Sequence, residues 1–446
     1  MDIEAEEEVR HMIGSVKVPL VYGGRLLECE VPKRNLLTIA IPSFGAPVKD
    51  ERRSIREAIT KAMYEGELFA TLKPTDKVAI AVTDSTRPTP NSKILPILLD
   101  ELGKFGIKDE NVTVIVATGM HKPDSPEEIR RNVGDEALRR VRVVNHNPDD
   151  QELLVNVGRT ELGTDIEANK LFAHADVRVT TGTVAPCMLV GWTGGGKTVM
   201  PGVSSRHSID QNHRLFVRNI RKAKRGAMFG LIEDNWVRRD IDDYAERVGV
   251  SLVINAVQNV KEEISGVYAG DLLQAYGAAL AHARKDMTTS VAEKADIVVV
   301  SPGVYTHEVS LYQSGSRMFA AVEGLVKKGG TIILVTSCYK GIYEGIEREE
   351  FRRALLQYRD PEEVLDLTEI GKIPSFESCV SYTFVWMMQH FTIMVVTDGM
   401  SREELEEIGM EHAPTIEEAL ETSLSQQGKE STITVVPYAS ITYTGL

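Results

Sequence analysis

The sequence predicts an α/β protein built as two α/β domains with mainly parallel sheets, and three observations carry that expectation. Short β-branched runs alternate with amphipathic stretches along the whole chain, the pattern of buried parallel strands joined by helical crossovers. At 446 residues the chain exceeds an average domain and suits two, each able to bury its own core. A new series of strand-like runs then begins after a helical segment that ends near residue 287.

Taken in order, "DKVAIAVTD", "NVTVIVATG", "ADVRVTTGT" and "VSLVINAVQ" read as the strands of the first half. The segments "NSKILPILLDELGKFG" and "SPEEIRRNVGDEALRR" lie between them as helices. The helix "QAYGAALAHARKDM" closes this half, which places a boundary in 285–292 and divides the chain into 1–287 and 288–446. In the second half "ADIVVVSPG", "GTIILVTSC", "FTIMVVTDG" and "STITVVPYA" read as strands, and "SREELEEIGMEHA" as an amphipathic segment. The last strand is a candidate to return to the first domain.

Lys plus Arg number 51 and Asp plus Glu 65, for a net charge of -14. That balance repels nucleic acid and anionic lipid. The most basic run, "RNIRKAKRG" (218–226), has no interleaved aromatics and reads as a solvated helix face. The acidic start "MDIEAEEEVRHMIG" lacks the basic and apolar regions of a secretory signal, and the longest apolar runs are only strand length. A soluble, cytoplasmic protein with no nucleic-acid and no membrane partner is expected. Cys29, Cys187, Cys338 and Cys379 are scattered, with no Cys-x-x-Cys pair for zinc, iron–sulfur or redox chemistry and no disulfide framework.

Open parallel sheets bind ligands beyond the carboxyl ends of their strands. Three such ends are rich in chemistry: "DSTRPTP" (84–90), "TGMHKP" (118–123) and "GTVAPCMLVGWTGGGKTVMPG" (182–202). They place Asp84, Arg87, His121, Cys187 and Lys197 in reach of one crevice. Within the third, "GWTGGGKT" (191–198) matches the phosphate-loop pattern. A phosphate loop needs a helix opening at its Lys-Thr pair. Here Pro201 and Gly202 follow too closely for that helix, Pro186 interrupts the approach, and only Asp398 in "VVTDG" offers a later acidic ligand. A nucleotide triphosphatase is therefore the remote alternative. Glycines at 191, 194, 195 and 196 bare the backbone around Lys197 and suit either a bulky flat group or a flexible turn with a solvated lysine.

In this order and spacing, "DSTRPTP", "TGMHKP", "GWTGGGKTVMPG", the "NH" at 212–213 and, more faintly, "LYQSG" (311–315) resemble the lactate racemase family over most of the chain. The resemblance implies an active site in the cleft between the two domains, with 1–287 binding the cofactor. It implies a nickel pincer nucleotide, pyridinium-3,5-bisthiocarboxylate mononucleotide, joined covalently to Lys197. Nickel would take His213 as its protein ligand, a sensible partner for square-planar nickel(II); on the residues alone His213 reads rather as a helix residue bonding backbone, and His207 is the second choice. Asp84, Arg87, Gly195, Gly196, Tyr312 and Gln313 would hold the cofactor and substrate region. An Asp84–Arg87 ion pair that staples the turn is compatible with that role.

The family's reaction moves a hydride from C2 of a 2-hydroxy acid while a base takes the hydroxyl proton, and the planar 2-keto acid is reduced again on its other face. Two bases are needed, and both are histidines in the family. His121 matches the first. The second position, ten residues before Lys197, is Cys187 in this chain. A thiol can move protons when its pKa is lowered by positive charge, although unpaired cysteine is also a common buried hydrophobe; His174 and His307 are alternative bases. The family's lysine three positions after Gln313 is Ser316, with Arg317 next. These departures point away from lactate towards a longer or more polar acid such as gluconate. The expected partners are that substrate and the cofactor maturation enzymes, and the alternative is a non-catalytic or differently catalytic pincer-binding protein.

Overall fold

The computed structural model describes residues 14–65, 72–304, 307–343 and 348–445, so the acidic start lies almost wholly outside the described residues. The described chain opens with an antiparallel hairpin, β1 (Ser15–Tyr22) and β2 (Arg25–Pro32), followed by β3 (Leu36–Ile39) and helix α1 (Glu51–Glu65). The first large sheet comes next. Its strands are β4 (Val78–Thr83), β5 (Val112–Ala117), β6 (Arg142–Asn145), β7 (Val177–Thr183), β8 (Leu252–Gln258) and β9 (Ile264–Gly270), in the spatial order β9-β8-β7-β4-β5-β6. All neighbours are parallel except β8 and β9. The flanking helices used below are α2 (Asn91–Lys104), α3 (Arg206–Ala223), α4 (Trp236–Val248) and α5 (Leu272–Met287).

After α5 the chain runs through β10 (Thr288–Ser290) into a second sheet of β11 (Ala295–Val300), β12 (Val326–Val335), β13 (Thr392–Val396), β14 (Glu411–Ala413) and β15 (Ile433–Val436). The order is β14-β13-β12-β11-β15-β3, parallel throughout. Its helices include α6 (Leu311–Val322), α7 (Ser375–His390) and α8 (Ile416–Gln427), and the chain ends in β16 (Tyr443–Gly445), paired with β10. All eight runs read as strands are strands. Val, Ile and Ala from β4, β5, β11 and β12 are nearly all fully buried, each branched side chain contributing about 1.5–3 kcal/mol of transfer free energy.

Three details differ from the sequence reading. "SPEEIRRNVGDEALRR" is two helices, Pro126–Val133 and Asp135–Arg140, because Gly134 between them adopts φ +85°. "SREELEEIGMEHA" is helical only over Arg402–Glu407; Gly409 (φ +89°) ends the turn and Glu411–Ala413 joins β13 as a short edge strand. Finally, the second sheet takes its edge from the start of the chain. β3 pairs with β15, and Val18, Leu20, Tyr22, Cys29 and Val31 of the hairpin share a core with Ile297, Val299, Ile333 and Val335. In return, Tyr443 of β16 packs its ring edge on Trp192 of the first half, centroids 6.0 Å apart.

The basic run 218–226 is tied down by its own chain: Arg218 lies 4.8 Å from the Trp236 ring, Arg221 pairs with Asp366 and Glu369, Lys222 with Asp234, and Arg225 with Glu323. Its charges are largely matched locally. Among the described residues no helix is long and apolar enough to cross a membrane. All four cysteines are free thiols.

Candidate active site

Beyond the carboxyl ends of β4, β5 and β7 the three chemistry-bearing loops are tied together. Asp124 accepts from the Ser85 backbone N–H at 2.9 Å and from its hydroxyl at 2.8 Å, and the Gly119 N–H donates to the Gly202 carbonyl at 3.0 Å. Within this frame Asp84, 3% exposed, accepts a 2.5 Å hydrogen bond from Nδ1 of His121 on one oxygen and the Thr86 hydroxyl, at 2.6 Å, on the other. Burial alone would raise the Asp84 carboxyl. The adjoining His121, the Arg87 charge and the Thr86 hydroxyl outweigh it and hold it down at about 2. Asp84 is thus ionised at neutral pH and fixes one imidazole nitrogen as donor, which leaves Nε2 of the half-buried His121 free to accept a proton. Asp84 and Arg87 share a turn through the Arg87 N–H to the Asp84 carbonyl, at 3.1 Å, but their side chains form no ion pair. The guanidinium bonds Thr86 instead.

The Lys197 loop does not open a helix. Gly195–Thr198 forms one 3-10 turn, and the next helix, α3, begins only at Arg206, capped by Ser205. Thr198 donates its hydroxyl to the Thr181 carbonyl at 2.8 Å, and Asp398 accepts from the Tyr22 hydroxyl in the second sheet. Neither is placed to hold magnesium beside Lys197, so the phosphate-loop match is one of letters only. The glycines make room for the protein's own residues. A Cβ on Gly195 would stand 2.5 Å from Arg238 and 2.9 Å from Tyr276, and one on Gly196 2.9 Å from both Ala245 and the Ile241 carbonyl. The flat guanidinium of Arg238 and ring of Tyr276 cover Gly195, and the aliphatic Ala245 and Ile241 cover Gly196. Arg238, 1% exposed, donates to the Gly194 carbonyl at 3.0 Å, lies 4.0 Å from the Tyr276 ring centroid and is paired with Asp242. Asn255 accepts from the Gly195 N–H at 3.1 Å, and its buried Nδ2 has no partner among the described residues.

Lys197 is thereby pinned at the crevice. Burial and the neighbouring Arg87 and Arg317 lower its ammonium, against the opposing pull of Cys187 and Asp84. Cys187 sits half-buried on a two-residue ladder that pairs Pro186–Cys187 with Gly191–Trp192. Burial would raise its thiol, but Lys197, the N–H groups of Leu189 and Val190, and Arg87 bring it below the ordinary value. His213 faces the same lysine from α3. It is 5% exposed, its Nδ1 donates to the Ile209 carbonyl at 3.0 Å, and burial together with Lys197 holds it down at about 4. A neutral imidazole with Nδ1 engaged presents Nε2 as a lone-pair donor. The backbone bond and the ligand role expected of this residue are therefore compatible.

Phe376, at the start of α7, carries no titratable group and escaped the sequence reading. Its ring lies 6.4 Å from His121 and 5.9 Å from His213, forming a wall between the two. Ser375 beside it bonds Asp210 of α3 through both its N–H and its hydroxyl, which docks the second domain on the first at this point. From α6 come Tyr312, its ring tilted against that of Tyr343 with centroids 4.3 Å apart, and the half-buried Gln313. Ser316 is buried and donates its hydroxyl to the Gln313 carbonyl at 3.2 Å. Arg317, by contrast, is an electrostatic neighbour of Arg87, Cys187 and Asp84, so its charge enters the crevice. His307, 7% exposed, is held well below its usual value by burial, Arg317 and Arg87. His174 caps a short helix before β7, at the opposite end of the strand from the site, and is exposed. His207 is exposed and pairs with Asp165 at 3.1 Å. Neither of these two histidines stands where the chemistry needs it.

The residues present fit a lysine-bound cofactor with one metal-ligating imidazole. Lys197 and the lone pair of His213 are neighbours, and the orphaned Asn255 Nδ2 lies behind the loop. Among the described residues no three His, Cys, Asp or Glu side chains converge on one point, so a metal at His213 would need its other donors from a bound group.

Two α/β domains meet around a half-buried lysine, a carboxylate-bound histidine and a thiol held below its ordinary value, a set of groups suited to moving protons. The family model of the lactate racemase N-terminal domain matches residues 22–225, and that of the lactate racemase C-terminal domain residues 290–441. The chain is 28% identical over 428 residues to the lactate racemase of Lactiplantibacillus plantarum, covering 95% of this chain and 98% of that one. It is 26% identical over 430 residues to the lactate racemase of Thermoanaerobacterium thermosaccharolyticum, with the same coverage. The structure of the lactate racemase apoprotein from the latter organism shares the fold at TM-score 0.85 and 24% identity, over 97% of this chain and all of that one. A Thermotoga maritima protein shares it at TM-score 0.70 and 19% identity, over 90% of this chain and all of that one. The chain belongs to the lactate racemase family, and it is an isomerase of the racemase class.

Proposed function

We propose that this chain inverts C2 of a 2-hydroxy acid by proton-coupled hydride transfer through a 2-keto acid, using a nickel pincer nucleotide carried on Lys197, and that its substrate is a polar or longer acid of the gluconate type. The Asp84–His121 pair carries the reading, because it presents a base in the crevice that also holds Lys197 and Cys187. When bound, the nucleotide supplies the acceptor and donor of the C2 hydride. His121 Nε2 takes the hydroxyl proton of one enantiomer, and Asp84 stabilises the imidazolium that forms. Cys187 serves the other enantiomer; in the unloaded chain Lys197, two backbone N–H groups and Arg87 bring its thiol below the ordinary value, and the N–H groups and Arg87 remain when Lys197 is acylated. His213 would hold nickel through Nε2. The maturation enzymes that make the nucleotide are the expected protein partners.

One observation favours a second reading, a pincer-binding protein without two-way catalysis: Cys187 packs against the main hydrophobic core. Coexpression with the cofactor-making enzymes, followed by intact-mass and metal analysis, tests the first step. A nucleotide-sized adduct on the Lys197 peptide with nickel is expected, and its absence would sink both readings. Chiral separation of products across a panel of 2-hydroxy acids tests the second, since an adduct without inversion of any acid leaves only the pincer-binding protein.

A further inference from the structure

We infer that Arg238 of α4 and Asn255 of β8 are the positioning residues of Lys197: they hold the backbone of Gly194 and Gly195 from behind, so that the lysine is presented to the crevice in one place. The inference rests on the reading of Lys197 as the point of cofactor attachment, and it gives neither residue a contact with cofactor or substrate. Two hydrogen bonds carry it. Nη1 of Arg238 donates to the Gly194 carbonyl at 3.0 Å, and the same carbonyl accepts from the Lys197 N–H at 3.3 Å. The guanidinium is therefore one shared acceptor away from the lysine's own backbone. Oδ1 of Asn255 accepts from the Gly195 N–H at 3.1 Å. Gly194 and Gly195 have φ of +85° and +59°. Glycines have many other conformations open to them, so a run of three before the lysine needs outside bonds to stay in one form.

The surroundings of Arg238 set it apart from a surface ion pair. Helix α4 carries two Arg–Asp pairs at four-residue spacing. The Arg247 side chain, paired with Asp243, is 44% exposed, whereas that of Arg238, paired with Asp242, is 2% exposed. Burying a guanidinium is costly, and the outer pair shows that the ion pair itself does not require it. Burial adds contact with the loop: the Gly194 carbonyl, and the Tyr276 ring whose centroid lies 4.0 Å from the guanidinium carbon and fixes its plane. A Cβ on Gly195 would stand 2.5 Å from Nη2, so the loop is seated directly on this group. Further out the loop is tied to β7, the Thr193 hydroxyl donating to the Thr183 carbonyl at 2.6 Å and the Thr198 hydroxyl to the Thr181 carbonyl at 2.8 Å. Arg238 and Asn255 act on the stretch between these ties, which contains the lysine. Nδ2 of Asn255 has no partner among the described residues, so its oxygen alone does the holding.

Hydrogen exchange in the 193–200 peptide of the unloaded chain reads these bonds directly. Arg238→Met and Asn255→Leu are expected to speed exchange of the Gly195 and Lys197 amides by about tenfold or more, the size of one lost buried hydrogen bond. Asn255→Asp keeps the accepting oxygen and restores most of the protection. Arg178→Met is the control: Arg178 also bonds backbone carbonyls, those of Gly249 and Ala173, but at the other end of β7, and its loss leaves these amides unchanged. After coexpression with the cofactor-making enzymes, Arg238→Met is expected to carry at least about tenfold less adduct per chain. Its loaded fraction should invert the best acid of the panel with kcat lowered about tenfold or more and KM within about twofold, because the lysine is misplaced while the substrate contacts remain. If Arg238→Met does not fold, Asn255→Leu carries both arms. Wild-type exchange in both variants, or full loading and kcat despite a loosened loop, would overturn the inference. Absence of an adduct on the wild type would instead remove the reading of Lys197 as the attachment point, and the exchange rates would still decide whether Arg238 and Asn255 hold the lysine.

Discussion

His121 and Cys187 face the same crevice from different strands, and the surroundings prepare them for proton transfer by opposite means. The imidazole is backed by an anion: Asp84 holds Nδ1 at 2.5 Å and is itself fully partnered. The thiol is backed by cations and backbone dipoles, with Lys197, Arg87 and two N–H groups countering its burial. An anion behind an imidazole orients it and fixes its tautomer, whereas a cation near a thiol stabilises the thiolate. The second arrangement is conditional. Acylation of Lys197 removes its charge, so a loaded enzyme would leave Cys187 with weaker support than the unloaded chain.

Substitutions on the two sides should therefore differ in size and in kind. Asp84→Asn is expected to have the largest effect, lowering kcat for inversion about 10³–10⁴-fold, because an amide cannot stabilise the imidazolium or fix the tautomer; a loss under tenfold would show that His121 does not need its anion. Cys187→Ala should cost about 10²-fold or more, unequally for the two enantiomers, as chiral separation would show. Equal and complete activity in both directions would make the thiol a packing residue.

Labelling reads the thiol directly. In the unloaded chain at pH 7.5, iodoacetamide should modify Cys187 ahead of Cys29, pushed up to about 12, Cys338, pushed up to about 11, and Cys379, raised well above the ordinary value by burial. Because the Cys187 value is depressed, its thiolate fraction grows as pH rises through a value below the ordinary thiol range. Lys197→Met, or loading with the nucleotide, moves that rise to higher pH and slows labelling at pH 7.5 by about tenfold or more, since less of the thiol is ionised there. The smallest effect is on the wall the two histidines share: Phe376→Leu should reduce stability by about 1 kcal/mol, the worth of its ring-edge contacts, measured as a lower urea midpoint.

Much of this was legible in the sequence, for identifiable reasons. The eight β-branched runs became strands because parallel strands buried on both faces need continuous Val, Ile and Ala, which is a local pattern. Loops at their carboxyl ends then had to carry Asp84, His121, Cys187 and Lys197 into one region. The Lys197 loop also failed as a phosphate loop for the expected reason, with no helix before Arg206. Less was legible where partners are distant. Nothing in "LLTI" says that β3 will lie beside β15, almost 400 residues away. The glycines at 195 and 196 announced close approach, but only the packing of α4 and α5 shows that Arg238, Tyr276 and Ile241 make it.

The sequence by itself determined the alternation of strand and helix and which chemistry-bearing residue types, Cys187 among them, stand beyond the strand ends. These follow from side-chain chemistry and short-range periodicity, which a chain carries before it folds. Tertiary structure alone decided the electrostatics: which charge faces which, that Arg317 enters the crevice while Ser316 turns away, and that Phe376 of the second domain separates His121 from His213. Those relations arise because the domain interface brings α6 and α7 against the strand ends of the first sheet, and Coulombic and hydrogen-bond energies depend on distance and burial rather than on position along the chain.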